Sequence, residues 1–179
     1  MVRFYATKLH RLCHWPIVIQ YHHSDTFEFQ RNKVIFLISD LVEGQLLSNF
    51  IASQPGKRFR FFEALHLLHV LAVGIEQIHL AREYHGDIHD GNSLVTRSGI
   101  NFDVKLVDFY QCGRSDRSKI KEDVIDMVRI LYDAVGWRKH YAGQPRVTKE
   151  ICCGLRRDLV SRKFPTPSRL REHLESFEW

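Results

Sequence analysis

The chain has 179 residues, of which 44% are hydrophobic and 26% charged, and its formal net charge is +5. This balance excludes a disordered chain and is typical of a soluble globular protein with one domain or two small lobes. No continuous apolar run approaches the roughly 18 residues that cross a bilayer, and the N-terminus lacks the apolar segment of a signal peptide. We therefore expect a cytoplasmic protein that does not bind membranes.

The cysteine and histidine patterns argue against structural zinc or disulfides. Cys13, Cys112, Cys152 and Cys153 show no CxxC spacing, so we expect free thiols in a reducing compartment. The 11 histidines include neither HExxH nor zinc-finger pairs. Scattered surface and core histidines are the simpler interpretation.

Alternating and continuous apolar runs predict a small antiparallel sheet near the N-terminus. The predicted strands are Ile17–Tyr21, Thr26–Gln30 and Val34–Ile38, separated by turns at Ser24–Asp25 and Arg31–Asn32. The last strand is apolar throughout, so both of its faces should be covered.

Helical spacing dominates the rest of the chain. A long helix is predicted from Phe59 to Glu83, and a second, apolar nearly all round and therefore central, from Glu122 to Val135. Between them, strands at 93–96 and 104–107 flank a turn and predict a hairpin. Further helices are expected at 148–160 and 168–177, the last capped by Ser168. The sequence therefore predicts an α+β fold.

Polar residues suited to a divalent cation lie at one end of this hairpin. Asp87 and Asn92 stand in the loop before the first strand, and Asp108 follows the second. Antiparallel pairing returns the end of the second strand to the start of the first, so Asn92 and Asp108 should meet. Carboxylate and amide oxygens are ligands that magnesium accepts beside substrate phosphates.

This loop resembles the catalytic loop of the protein-kinase-like superfamily. His85–Asn92, HGDIHDGN, matches the pattern H-x-D-x-x-x-x-N, and Asp108-Phe109-Tyr110 stands at the D-F-G position. The loop is similar to the HGDLHPGN of aminoglycoside phosphotransferases. Asp108-Phe109-Tyr110-Gln111 has some likeness to the Asp-Phe-Pro-Gln of RIO kinases.

Other segments resemble the same superfamily in the same order. Leu37–Gly44 is similar to the hinge between the lobes, and Lys121–Val124 to the start of the buried central helix. The resemblance implies a mainly helical C-lobe at 43–179. It places a partial N-lobe at 1–42, containing the end of helix C, strands four and five, and the hinge.

The resemblance also implies a role for each matching residue. Asp87 would orient the attacking hydroxyl, and Asn92 with Asp108 would hold magnesium on ATP. His89 occupies the place where conventional protein kinases have a lysine. The remaining implied residues are the hinge positions Ser39, Asp40 and Val42, which would hold adenine, and the structural supports His85 and Asp123.

The sequence departs from the superfamily at the phosphate-binding elements. It contains no Gly-rich loop and no strand-three lysine, and Ala6 stands where helix C carries glutamate. Lys8 and Arg11 are interpreted as solvent-exposed helix charges. Three explanations remain open: a fragment or split protein whose lid lies elsewhere, a truncated kinase aided by a partner chain, and a pseudokinase-like binding module.

The expected function is ATP- and magnesium-dependent transfer of the γ-phosphate to a hydroxyl. Because only fifteen positions separate Asp108 from Asp123, no usual peptide platform is expected, and the acceptor is a small molecule or a protein recognised by another surface. The alternative is a catalytically impaired module that binds a partner protein or regulates a kinase.

A third hypothesis concerns the basic residues late in the chain. They face few acids in the sequence, which suggests an acidic or phosphate-bearing partner. Nucleic acid is not expected, because aromatic residues do not interleave with them. These residues are Arg146, Lys149, Arg156, Arg157, Arg162, Lys163, Arg169 and Arg171.

Overall fold

The structure is a computed structural model that describes residues 2–109 and 115–177, with the side chains of residues 2–4 left out. It is α+β, mostly helical with small antiparallel sheets, as the sequence predicted. Tyr110, Gln111 and Cys112, which entered the sequence predictions, lie outside the described residues.

The elements follow the chain in a simple order. The first half contains α1 (Val2–Leu12), β1 (Tyr21–Phe29), β2 (Asn32–Ser39), β3 (Gln45–Leu46), α2 (Leu47–Ser53), a 3-10 turn (Pro55–Lys57) and α3 (Phe61–Leu80). The second half contains β4 (Ser93–Ser98), β5 (Asn101–Leu106), α4 (Arg117–Ala134), α5 (Trp137–Tyr141), α6 (Arg146–Cys152), a 3-10 turn (Cys153–Leu155), α7 (Arg157–Lys163) and α8 (Pro167–Glu175).

Helix α3 is the centre of the core. It packs against α4, α8 and β5, and its residues Leu67, Leu71 and Ile75 are fully buried. Gly74 lets the chain before β1 approach closely, because a Cβ there would lie 2.8 Å from the Cβ of Ile17. Burial of each large aliphatic side chain stabilises the fold by roughly 1.5–3 kcal/mol.

The composition of α3 also meets the length and hydropathy expected of a bilayer-crossing helix. Half of that stretch is buried inside the protein, as is usual for the core helix of a folded domain.

The N-terminal hairpin forms with its turn one residue before the predicted Arg31–Asn32, but the turn predicted at Ser24–Asp25 is absent. β1 and β2 pair continuously from Asp25–Phe36 to Phe29–Asn32, so Ser24 and Asp25 lie within a strand rather than at a turn. The chain reverses at Gln30 and Arg31, whose φ angles are 50° and 63°. The prediction of a turn at Ser24–Asp25 was wrong because short polar residues also occupy exposed strand positions.

The two faces of this hairpin are not covered as expected. β1 and β2 form a two-stranded sheet, and within β2 Ile35 and Ile38 are 45% and 48% exposed. The sequence predicted that the apolar run Val34–Ile38 would be buried on both faces. Helix α1 packs against β1, but among the described residues no third strand pairs with this sheet, and Ile35 and Ile38 stay largely exposed.

The segment before β1 is not a strand, contrary to the prediction for Ile17–Tyr21. Val18 alone forms a parallel bridge with Leu106, and the Leu106 N–H donates to the Ile17 carbonyl at 2.7 Å. These contacts attach the N-terminal segment to the edge of β5, beside β4 and β3.

The predicted helix at 148–160 is broken into α6, a 3-10 turn and α7. Cys153 and Gly154 have φ angles of 49° and 61°, which end the α-helical path. Cys13, Cys152 and Cys153 are free thiols, as predicted.

Two helix starts also differ from their predictions. The carboxylate of Asp116 accepts from the N–H groups of Ser118 and Lys119, so α4 begins five residues before the predicted Glu122. Helix α8 is capped by the Thr166 hydroxyl, which accepts from Arg169 N–H, and not by Ser168.

Candidate functional site

The loop between α3 and β4 is held by one buried carboxylate. Asp123 of α4 is fully buried and accepts hydrogen bonds from the backbone N–H groups of His85, at 2.9 Å, and Gly86, at 2.7 Å. The same carboxylate meets His79 Nε2 at 2.8 Å. The central helix therefore fixes the backbone immediately before Asp87.

His85 joins this loop to the end of β5. Its Nε2–H donates to the Val107 carbonyl at 2.9 Å, and its Nδ1 accepts from the Asp87 N–H at 3.3 Å. Burial lowers the pKa of His85 to about 4, so the ring is neutral and can both donate and accept. Its ring lies 4.4 Å from that of Phe109.

Asn92 makes the second link between the same two segments. The Val107 N–H donates to the Asn92 carbonyl at 3.0 Å. The Asn92 side-chain amide donates to the carbonyl oxygen of Asp87 at 3.1 Å and to its Oδ2 at 3.2 Å. Asp108 is the next residue after Val107, so the backbone brings Asp87, Asn92 and Asp108 to one end of the β4–β5 hairpin.

The two acids at this end differ from the residues that support them. Asp87 and Asp108 are exposed, whereas His85 and Asn92 are buried. Asp108 has a φ of 63°, which is uncommon for a residue with a side chain and costs of order 1 kcal/mol or more. Exposed carboxylates on a buried, hydrogen-bonded frame are suited to meeting a ligand.

His89, the predicted catalytic histidine, lies at the rim of this loop. Its Nδ1 accepts from the Gly91 N–H at 3.0 Å, which leaves the proton on Nε2. That nitrogen is 3.8 Å from Oδ2 of Asp87. His89 is half-exposed, so it stands beside Asp87 without a direct hydrogen bond to it.

The predicted adenine-binding residues lie on the connector after β2. Ser39 ends β2, and Asp40 is exposed. The Asp40 N–H donates to the Gln20 carbonyl at 3.0 Å, so this donor is already used and its carbonyl is the group left for a ligand. Val42 is half-buried on the same connector.

Lys8 is buried, which corrects the prediction that it is a solvent-exposed charge. It is 6% exposed, and its Nζ lies 4.6 Å from the centre of the Tyr84 ring and 5.8 Å from that of Phe109. Arg11 is exposed as predicted, and it pairs with Glu83 at 3.1 Å. A buried cation therefore lies beside Tyr84 and Phe109, which are the neighbours in sequence of His85 and Asp108.

The spacing of residues in α1 predicts that Lys8 is buried, although lysine as a residue type suggests exposure. Lys8 stands three residues after Tyr5 and four before Leu12, two buried positions of α1. Helical spacing therefore places it on the buried stripe.

The donor set fits magnesium better than a transition metal. Among residues 2–109 and 115–177, no three His, Cys, Asp or Glu side chains are grouped so that they could hold a metal ion. The Asp108 carboxylate and the Asn92 oxygen, whose amide nitrogen is already engaged with Asp87, are hard oxygen donors. Magnesium commonly takes one or two carboxylates and completes its coordination with phosphate and water.

Most of the late basic residues are neutralised by ion pairs. Arg157 pairs with Glu122, and Arg171 pairs with Glu76 at 2.6 Å and Glu175 at 2.7 Å. Further ion pairs are Arg146–Glu150, Arg156–Asp158 and Arg169–Glu172. The expectation that these residues face few acids was therefore wrong for five of the eight, since some partners come from elements distant in sequence. Among the described residues, no ion pair joins Lys149, Arg162 or Lys163 to an acid.

No protein-family model matches the chain. No curated protein matches it at a significant level of similarity either.

Proposed function

We propose that the chain is an ATP- and magnesium-dependent phosphotransferase of the protein-kinase-like type. The proposal includes a partial N-lobe at 1–42, a C-lobe at 43–179 and a cytoplasmic location. The observation that carries it is the double link between loop and strand. His85 joins the Asp87 N–H to the Val107 carbonyl, and the Asn92 carbonyl accepts from the Val107 N–H.

The proposed reaction assigns Asp87 to the attacking hydroxyl. The hydroxyl oxygen of the acceptor forms a bond to the γ-phosphorus of ATP while the bond from that phosphorus to the β–γ bridging oxygen breaks. ADP leaves, and the hydroxyl proton passes to the carboxylate of Asp87. The exposure of this carboxylate and the support of its backbone N–H by His85 favour that role.

Asn92 and Asp108 would hold the metal on the phosphates. Bound magnesium supplies positive charge that neutralises the phosphate oxygens. The hydrogen bonds of the Asn92 amide nitrogen to Asp87 turn the Asn92 oxygen away from that residue. The left-handed backbone at Asp108 fixes the direction in which its side chain leaves the strand.

Lys8 is our candidate for part of the missing phosphate-binding charge. It comes from α1, a different element from the strand that carries the lysine in the family. Its ammonium group lies against Tyr84 and Phe109, the residues next to His85 and Asp108. Ser39, Asp40 and Val42 remain the proposed adenine contacts, and His89 the proposed neighbour of the transferred phosphate.

Nucleotide binding is the first test of this proposal. ATP with magnesium at about 100 times its dissociation constant should stabilise the chain by about 2.7 kcal/mol, measured as a rise in Tm. The rise should disappear without magnesium and in Asp108→Ala. The matched control is Asp103→Ala, an exposed acid on β5, which should retain it. If the wild type shows no rise at millimolar ATP, the proposal fails.

Turnover separates an enzyme from a nucleotide-binding module. Phosphate transfer, or ATP hydrolysis as its substitute, should fall by roughly 10²–10⁴-fold in Asp87→Ala. The Tm rise with magnesium and ATP should persist in this variant. Activity unchanged by Asp87→Ala would remove that residue from the mechanism.

A non-catalytic module that binds a partner protein is the second candidate. It is favoured by the β1–β2 hairpin, which exposes Phe27, Phe29, Ile35 and Ile38. A partner chain completing the N-lobe would cover such a surface. This candidate predicts partner capture that neither Asp87→Ala nor Asp108→Ala affects, together with absence of ATP turnover.

A further inference from the structure

A groove between the start of α3 and the segment around the end of α5 concentrates positive charge without acids in its lining. The cavity has a volume of about 730 Å³ and lies between the segment Pro55–Phe62 and the segment Lys139–Pro145. Its charged lining residues are Arg58, Arg60 and Lys139, with His140 beside them. No Asp or Glu lines it.

Gly136 allows these charges to converge. It lies between α4 and α5 with a φ of 97°, and a Cβ there would lie 3.0 Å from the Cδ of Arg58 and 2.7 Å from the Cδ2 of His140. Arg58 and His140 therefore approach the same glycine. Desolvation, followed by the charges of Arg58 and Lys139, lowers the pKa of His140.

The groove differs in charge balance from the basic residues late in the chain. In the described part of the chain, no ion pair joins Arg58, Arg60 or Lys139 to an acid. Arg156 and Arg169, by contrast, pair with Asp158 and Glu172. Arg60 has a charge interaction with the nearby Glu63, so Arg58 and Lys139 are the cations of the groove that are most available to an anion.

The groove continues toward the catalytic loop. Lys139 and His140 also line a second cavity of about 400 Å³, which reaches Asp90, three residues after Asp87. Trp137 lines this cavity and is 63% exposed. Asp133 also lines the second cavity. A ligand lying along both cavities would therefore place its negative groups near Arg58 and Lys139 and a part without negative charge near Asp90 and Asp133.

The number of cations fits a short anionic peptide better than a nucleic acid. Proteins that grip a duplex strongly make about 6–10 phosphate contacts, whereas only Arg58, Arg60 and Lys139 are permanent cations in this cavity. Pro55, Pro145 and Phe61 supply apolar lining, which suits side chains of an extended peptide.

We propose that this groove binds an acidic or phosphorylated segment of a protein acceptor, at a distance from its hydroxyl group. The acceptor role rests on the proposed function, but the binding of the anionic segment does not. Of the two acceptor classes considered above, a small molecule and a protein, the inference favours a protein.

Fluorescence anisotropy tests the binding without nucleotide or magnesium. The probe is a fluorescein-labelled peptide in which glutamates flank one serine, and a peptide with lysines in their place is the negative control. The double variant Arg58→Gln/Lys139→Gln should weaken binding by roughly tenfold or more. Arg156→Gln/Arg169→Gln removes the same charge from ion-paired positions and should leave the affinity within about twofold.

Several outcomes would overturn the inference. Absence of binding to the glutamate peptide, or an equal loss in both double variants, would show that the groove has no special role. Tighter binding of an oligouridylate with the same sensitivity to Arg58 and Lys139 would assign the groove to nucleic acid. If Arg58→Gln/Lys139→Gln does not fold, Arg60→Gln/Lys139→Gln changes two exposed residues of the same groove and serves in its place.

The same assay keeps this inference separate from the proposed function. Asp108→Ala should bind the glutamate peptide as the wild type does. If the chain binds the peptide but its Tm does not respond to ATP, the proposed peptide groove stands and the proposed phosphotransferase activity is rejected. If the Tm responds to ATP but the peptide does not bind, the proposed activity stands and the proposed peptide groove is rejected. In an active protein, Arg58→Gln/Lys139→Gln should raise the KM for the glutamate peptide and leave kcat nearly unchanged.

Discussion

In the loop between α3 and β4, buried polar groups are hydrogen-bonded, whereas in the β1–β2 hairpin apolar side chains stand in solvent. Asp123 is fully buried and accepts two backbone N–H groups and a histidine. Phe29 and Ile38 are 58% and 48% exposed. The polar groups of the loop therefore find their partners within this chain, whereas apolar side chains of the hairpin are not buried by it.

The two regions therefore differ in the interactions that stabilise them. A buried carboxylate is costly unless all its hydrogen bonds are made, so the loop depends strongly on each partner. A two-stranded hairpin with exposed faces gains little from burial and is marginal alone. Substitutions should therefore have large effects in the loop and small ones in the hairpin.

Replacing Asp123 should have the largest effect. Asp123→Ala leaves the N–H groups of His85 and Gly86 buried without their acceptor, so we expect a loss of about 3–5 kcal/mol in the free energy of unfolding. Urea denaturation measures this loss. Asp158→Ala, at an exposed ion pair, is the control and should cost less than about 1 kcal/mol. Similar losses of unfolding free energy in both variants would contradict the strong dependence of the loop on Asp123.

Acid should destabilise the protein through His85. Its pKa is about 4 in the folded state against 6.5 as the ordinary value, so between these values the unfolded chain binds a proton that the folded chain excludes. Stability due to this group is complete above the ordinary value and falls as pH decreases through the window, by up to about 3 kcal/mol.

Other groups also titrate in this range, so the effect of His85 must be isolated. Burial raises the pKa of Asp126 to about 6, which favours the folded state as pH falls and opposes His85. His85→Gln removes one contribution and leaves the other. From about pH 7.5 to about pH 5, the wild type should lose about 2 kcal/mol more than His85→Gln. Parallel pH profiles from urea denaturation would show that His85 does not titrate as described.

Gly74 tests the contact between helix α3 and the segment that leads into the hairpin. A Cβ at this position would meet Ile17, just before the hairpin, so Gly74→Ala should cost about 1–3 kcal/mol by overpacking. Gly143→Ala meets only an ordinary contact at 3.7 Å and should be nearly neutral. Thermal unfolding compares the two, and a Gly74→Ala variant as stable as the wild type would refute this close approach.

The smallest effect is expected in the hairpin itself. Phe29→Leu should change the free energy of unfolding by less than about 0.5 kcal/mol, because the ring is mostly exposed. The same substitution at the buried Phe59, which packs on Phe50 and Phe102, should cost about 1 kcal/mol. A larger loss for Phe29→Leu than for Phe59→Leu would mean that the hairpin is covered in solution.

The sequence predicted the elements whose signal is periodic and local. The long helix α3, the buried helix α4 and the β4–β5 hairpin were all found, with ends shifted by a few residues. The hairpin also sufficed to predict that Asn92 and the residue at 108 lie at one end of it. Strand pairing is a strong constraint, since the register follows once the turn is placed.

What the sequence did not reveal depends on contacts between distant residues. Cys153 ends α6 with an uncommon backbone angle that its residue type does not signal. The ion pairs of Arg171 with Glu76 and of Arg157 with Glu122 join different helices. The groove at Arg58 forms only when α5 returns to the start of α3.

The hydrogen bond from the Leu106 N–H to the Ile17 carbonyl gives the hairpin a mechanical connection to the site. Leu106 lies two residues before Asp108, and Val18 bridges the same residue. The segment that leads into the hairpin is thus anchored to the strand end beside the candidate site. If the proposed nucleotide binding holds, a partner bound to the hairpin should change nucleotide affinity through this strand end, without contacting the nucleotide.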